Sequence, residues 1–126
     1  MTEPRLRVSI AICTHDRPAL LARALDSVVG QAPPAHEVVV VDNAPGADAT
    51  RILVERQLPA VRYTVEPIPG LDFARNRALA EATGEIVAFL DDDAVAAPGW
   101  AEALRRNFAD PRVAVCTGRV EPLSLE

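Results

Sequence analysis

Three aspartates in a row, Asp91, Asp92 and Asp93, follow an apolar run in the stretch IVAFLDDDAV. A turn or a helix cap needs one acid. Three beside a buried strand repel one another unless a cation neutralises them. A hard divalent ion answers that need. Mg²⁺ or Mn²⁺ takes oxygen ligands and is often held by one or two carboxylates together with substrate phosphates. The triplet therefore points to metal–phosphate chemistry.

Further polar groups stand where other apolar runs end. Thr14, His15, Asp16 and Arg17 follow LRVSIAIC, and Asp42 and Asn43 follow EVVVV. Arg75 sits early in the helical stretch of PGLDFARNRALAEATG. Each has a plain alternative: Asp16 can start a helix before Pro18, Asp42-Asn43 can make a turn, and Arg75 can be a solvated helix residue. His15 reads as a loop residue, His36 as surface, and Trp100 as packing.

Positioning these groups on one rim requires a particular scaffold. Residues 6–14 read as a β-branched strand, and a helix opens at Pro18 with Leu20, Leu21, Ala24, Leu25, Val28 and Val29 at helical spacing. Residues 37–43 form a continuously apolar strand, 48–57 a weaker helix and 60–66 a third strand. A helix is expected from Asp72, as its cap, to about Thr83, with Ala74, Ala78, Leu79 and Ala82 on one face and Gly84 as its stop. Residues 85–91 give a fourth strand, 99–108 a helix and 112–118 a fifth strand. Alternating strands and helices predict an α/β, Rossmann-like fold, a mostly parallel sheet with helices on both faces. In such sheets ligands bind beyond the carboxyl ends of the strands, where all four polar clusters fall.

Composition narrows the function. The chain has 126 residues, about half apolar, enough for one domain with its own core. Its net charge of -5 gives no support to nucleic-acid binding. All 13 basic residues are arginines, so lysine-dependent chemistry is excluded and arginine is left to grip phosphates. Cys13 and Cys116 lie far apart in apolar runs and read as buried, reduced thiols of a cytosolic protein. No stretch is long and apolar enough to span a membrane, and MTEPRLR does not read as a signal peptide. A cytoplasmic location is expected, membrane-peripheral at most in a longer protein.

Taken in order, VSIAICTHDRPALLARALDSVVGQ, EVVVVDNAPGADAT, PGLDFARNRALAEATGEIVAFLDDD and PGW resemble the nucleotide-sugar-binding half of family 2 glycosyltransferases of the GT-A fold. The resemblance runs to about residue 120. It implies an inverting sugar transfer from a nucleotide-diphosphate sugar to an acceptor hydroxyl, with Mn²⁺ or Mg²⁺ as cofactor. It implies that Thr14 and Asp16 lie around the base and ribose, that Asp42 accepts a hydrogen bond from the base, and that Arg75 lies near base and diphosphate. It makes Asp91–Asp93 the DxD-type motif: Asp92 touches ribose or metal, Asp93 is the direct metal ligand, and Asp91 stands with it. Gly70 and the helix after it would let backbone approach the donor. The catalytic base belongs to the part of the family fold expected beyond residue 126, so residues 1–126 are read as a donor-binding portion truncated at its C-terminus. The alternative is a non-catalytic nucleotide-sugar-binding module. A phospho-receiver domain is disfavoured, because Cys13-Thr14 stand where it needs paired acids and it needs a lysine.

Overall fold

A computed structural model describes residues 5–57 and 59–122. Eight elements follow one another: β1 (Val8–Thr14), α1 (Pro18–Val29), β2 (Glu37–Asn43), α2 (Ala49–Glu55), β3 (Arg62–Glu66), α3 (Leu71–Glu81), β4 (Ile86–Phe89) and α4 (Trp100–Asn107). The four strands form one parallel sheet in the order β3-β2-β1-β4. The chain builds outward from β1 to β3, then returns to β1's other side with β4. The reversal creates a crevice between the carboxyl ends of β1 and β4.

The strand sequences are continuously apolar because the central strands are covered twice. On one face Ile10 and Ile12 of β1 and Val38 and Val40 of β2 pack with Leu21, Ala24, Leu25 and Val28 of α1 and with Ala101 and Leu104 of α4. On the other face Ala11, Val39 and Val41 meet α3 through Ala74 and Ala78. Alanines one turn apart let α3 lie close to the sheet. Its buried stripe is that narrow, so Leu79, expected on the same face, is 54% exposed. In α1, Leu20 is half-buried and Val29 exposed, at the borders of a well-covered face.

Several boundaries differ from expectation. Gly70, not Asp72, caps α3, with φ at 136°, a conformation that disfavours any side chain; Asp72 falls in the first turn. Gly84 does not end the helix, which stops at Glu81 with an extended Ala82. A Cβ on Gly84 would lie 2.6 Å from the Arg7 carbonyl oxygen and 2.7 Å from Ser9 Oγ, so glycine is needed there for close approach to β1.

The expected fifth strand over 112–118 does not form. The segment has no ladder partner among the described residues, and Val115 is 80% exposed. Its apolar alternation suits a strand, but alternation stabilises a strand only against another backbone edge. Both cysteines are free thiols and half-buried, less enclosed than their apolar surroundings suggested. Trp100 packs against the core as expected, and His36 is exposed.

Candidate donor and metal site

The parallel register brings the strand ends level: Thr14 lies beside Asp42, and Asn43 beside Glu66. Beyond them opens a cavity of about 510 Å³. Its walls come from Cys13, Thr14, His15 and Arg17 after β1, from Asn43, from the Pro69–Leu71 turn with Ala74 and Arg75 of α3, and from Asp91–Asp93. Thr14, Arg75 and the whole triplet thus meet in one place. Asp16 and Asp42 lie outside the lining.

The triplet is placed from both sides. The Leu90 amide donates to the Ala11 carbonyl (3.0 Å), and the Ala94 amide closes a turn on the Asp91 carbonyl (3.0 Å). Downstream, the Ala96 amide donates to Ser27 Oγ (2.9 Å), and Gln31 accepts from the Ala101 amide (3.0 Å) while donating to the Ala97 carbonyl (2.9 Å). The C-terminal turn of α1 therefore fixes the segment that carries the acids. Asp92 is 6% exposed and accepts from Thr14 Oγ1 at 2.8 Å. Arg17 bridges outward, 3.4 Å from Asp92 Oδ1 and 3.4 Å from Asp93 Oδ2. Asp91 and Asp93 are exposed to the cavity side.

The carboxylates offer hard oxygen ligands, but among the described residues no group of three or more His, Cys, Asp or Glu is arranged to enclose an ion. That donor set fits Mg²⁺ or Mn²⁺, which accept one or two protein carboxylates and leave other positions to phosphate and water. It does not suit a metal that needs a closed protein cage.

A second wall carries positive charge. Arg75 projects from the first turns of α3, and among the described residues no carboxylate pairs with it. The N-terminus of α3 opens at Gly70 and Leu71 beside it. A helix N-terminus with an unpaired guanidinium is a ready site for an anion. Asn43 builds this wall: its Nδ2 donates to the carbonyls of Glu66 (3.1 Å) and Ile68 (2.8 Å), and its Oδ1 accepts from the Gly70 amide (3.0 Å). Both amide protons and the carbonyl oxygen of the side chain hold the turn that precedes α3.

The remaining groups have defined partners. His15 Nδ1 lies 2.7 Å from the Asn43 carbonyl, which can only accept, so Nδ1 carries the proton. Asp16 has φ at 48° and accepts from the Gly46 amide at 3.2 Å, so it ties the β2–α2 loop to β1. Asp42 is fully buried. Tyr63 donates its hydroxyl to Asp42 Oδ2 at 2.5 Å, while Oδ1 has no partner among the described residues. Burial raises the Asp42 pKa, and the Tyr63 hydroxyl opposes that shift. Burial also pushes the Cys13 thiol up to about 11, with Asp91 and Asp92 adding to the rise against Arg75, so Cys13 stays a neutral thiol in the cavity wall.

The sequence places Arg17 and Asn43 at strand ends without a task, and sequence reasoning misses Tyr63 and the place of Cys13. A signal for Tyr63 existed. It pairs with Val40, so strand alternation puts it on the Asp42 face with its ring reaching two pairs along.

Comparison with known proteins agrees with the family resemblance and the fold. The sequence model described as glycosyl transferase family 2 matches residues 9–123. The succinoglycan biosynthesis protein ExoM of Rhizobium meliloti (strain 1021) is 32% identical over 127 residues, covering 95% of this chain and 40% of ExoM. Polypeptide N-acetylgalactosaminyltransferase 5 of Caenorhabditis elegans is 34% identical over 119 residues, covering 87% of this chain and 19% of that protein. Among solved structures, the mannosyltransferase PcManGT from Pyrobaculum calidifontis, in complex with GDP-Man and Mn²⁺, superposes with a TM-score of 0.77 at 36% identity, over 92% of this chain and 36% of PcManGT. The chain thus spans 40% or less of the length of these relatives.

Proposed function

Because the chain belongs to glycosyl transferase family 2, we propose that it forms the donor and metal site of an inverting glycosyltransferase. The donor is a nucleotide-diphosphate sugar and the acceptor a hydroxyl. The observation that carries this reading is the meeting of two kinds of wall in one cavity: Asp91–Asp93 in one, and in another Arg75, unpaired among the described residues, with the N-terminus of α3. A metal-chelated diphosphate is a ligand that needs both walls. PcManGT, solved with GDP-Man and Mn²⁺, supports the same ligand class.

In this reading Asp93, with Asp91, holds Mn²⁺ or Mg²⁺. The ion, when bound, offsets the charge of the departing nucleoside diphosphate. Arg75 receives the diphosphate, and backbone at Gly70 lets it approach closely. Asp92, fixed by Thr14, meets the ribose or the metal. Thr14 and Asp16 frame the nucleoside. Asp42 keeps its proposed role toward the base because its buried Oδ1 lacks a donor among the described residues, a deficit of roughly 1–3 kcal/mol that a base N–H would relieve. Reaching it requires the base to enter beside the cavity as it now stands. The acceptor hydroxyl needs a carboxylate base to accept its proton.

The test is a thermal-shift panel of nucleotide sugars with Mn²⁺ and with EDTA. A ligand that binds only the folded state raises apparent stability by mass action. A metal-dependent rise with at least one nucleotide sugar is expected. No rise with any nucleotide sugar, at concentrations that shift a known family member, would sink the reading.

A further inference from the structure

Arg17 is the cavity's second cation, and it is already engaged with carboxylates assigned above to the metal and the ribose. Its Nη1 lies 3.4 Å from Asp92 Oδ1 and its Nη2 lies 3.4 Å from Asp93 Oδ2. Both contacts are longer than the roughly 2.7–2.9 Å of charge-assisted hydrogen bonds. They are loose ion pairs, and the Arg17 side chain is 46% exposed. Only the backbone of Arg17 is tightly held: its carbonyl accepts from the Leu21 amide at 3.0 Å and Pro18 follows it at the start of α1. Asp92, by contrast, is buried and bonded to Thr14. Of Arg17 and Asp92, the guanidinium is the less enclosed.

A divalent ion on Asp93 and the Arg17 guanidinium compete for the same oxygen face, since like charges repel at that range. The guanidinium then needs a new anion within reach. Arg17 lines the same cavity as Arg75, and a planar guanidinium fork suits phosphate oxygens. We propose that Arg17 is an exchangeable counter-charge: it neutralises Asp92 and Asp93, yields them to a divalent cation, and turns to the donor's diphosphate. The exchange conserves charge. A divalent cation and the diphosphate dianion of a nucleotide sugar together add nothing to the three carboxylates and two guanidinia of the cavity. The proposal rests on the donor-site reading and adds to it a positioning residue that couples metal entry to donor binding.

The test titrates the chain and its Arg17→Gln and Arg17→Lys variants by calorimetry, first with Mn²⁺ alone, then with GDP and UDP at saturating Mn²⁺. Circular dichroism confirms folding, and two variants of similar length guard against loss of packing. For Arg17→Gln, Mn²⁺ alone is expected to bind about two- to fivefold tighter, because the half-exposed guanidinium that competed with it is gone. The nucleoside diphosphate is expected to bind about tenfold or more weaker. Arg17→Lys keeps the charge but not the fork, so its Mn²⁺ affinity should stay near wild type with only part of the nucleotide affinity. A purely structural arginine would weaken both ligands together, and that result overturns the proposal, as does unchanged nucleotide affinity. If the unaltered chain binds neither nucleotide, the donor-site reading itself falls and takes the proposal with it.

Discussion

Replacing Tyr63 with phenylalanine removes one oxygen, and it is the only hydrogen-bond donor that the buried Asp42 carboxylate has among the described residues. A hydrogen bond to a charged group contributes about 1.5–3 kcal/mol, against about 0.5–1.5 kcal/mol for a neutral pair. At neutral pH the variant should therefore lose about 2 kcal/mol, or about 6–10 °C in Tm for a domain of this size. The loss should depend on pH with a definite sign. Burial raises the folded-state pKa of Asp42 above its ordinary value. Such a group contributes stability that is fully present below its unfolded pKa and is lost as pH rises through the folded value. The Tyr63 hydroxyl limits that loss by favouring the ionised form, so Tyr63→Phe should hurt most at neutral pH and least in acid, where Asp42 is protonated in both proteins. Thermal melts of both proteins across pH are the assay, with Asp42→Asn completing a double-mutant cycle. An equal Tm loss at every pH, or no coupling between positions 42 and 63, would refute the argument.

Two other outcomes follow from named contacts. Burial would raise the Glu37 pKa, but hydrogen bonds from Ser9, Thr83 and Arg62 outweigh it and hold the carboxyl at about 2. Its contribution is present above the unfolded value and is lost as pH falls through about 2, so Glu37→Gln should lower the urea midpoint at about pH 6 by more than at about pH 3. Sugar transfer by these 126 residues alone should be absent, since Asp92 is held by Thr14 and Arg17 and the proposed reading gives Asp91 and Asp93 to the metal. A transfer assay across several acceptors checks this, and robust turnover would place a base among the residues present.

The sheet was legible because its central strands are continuously apolar and α1 carries a clear apolar stripe. The rim was legible for the same reason: once the strands are parallel, every polar cluster at a strand's end must fall on one side. What sequence could not supply was the partner of each group. Residues 112–118 have a strand's pattern, but pairing needs a neighbouring edge. Asp72 and Gly84 have the chemistry of helix caps, but α3 begins at Gly70 and Gly84 serves the approach to β1. Asp42 looked like a rim carboxylate because it ends β2, whereas its side chain alternates onto the Tyr63 face and is buried there. Its expected role toward the base is therefore a proposal about access as well as chemistry. Arg17 was one more charge in THDR until its distances to Asp92 and Asp93 gave it a task.

The central claim is that the aspartate triplet and the Arg75 wall together hold a metal-chelated diphosphate. The most direct measurement is calorimetry of GDP and UDP binding to the unaltered chain and to Asp93→Ala, each with Mn²⁺ and with EDTA. The unaltered chain should bind at least one nucleotide in Mn²⁺ and lose most of that affinity in EDTA, while Asp93→Ala should remain folded and show the EDTA affinity under both conditions. Equal Mn²⁺-dependent binding by Asp93→Ala would contradict the assignment of Asp93 as the ligand, and metal-independent binding by both would contradict the metal site itself.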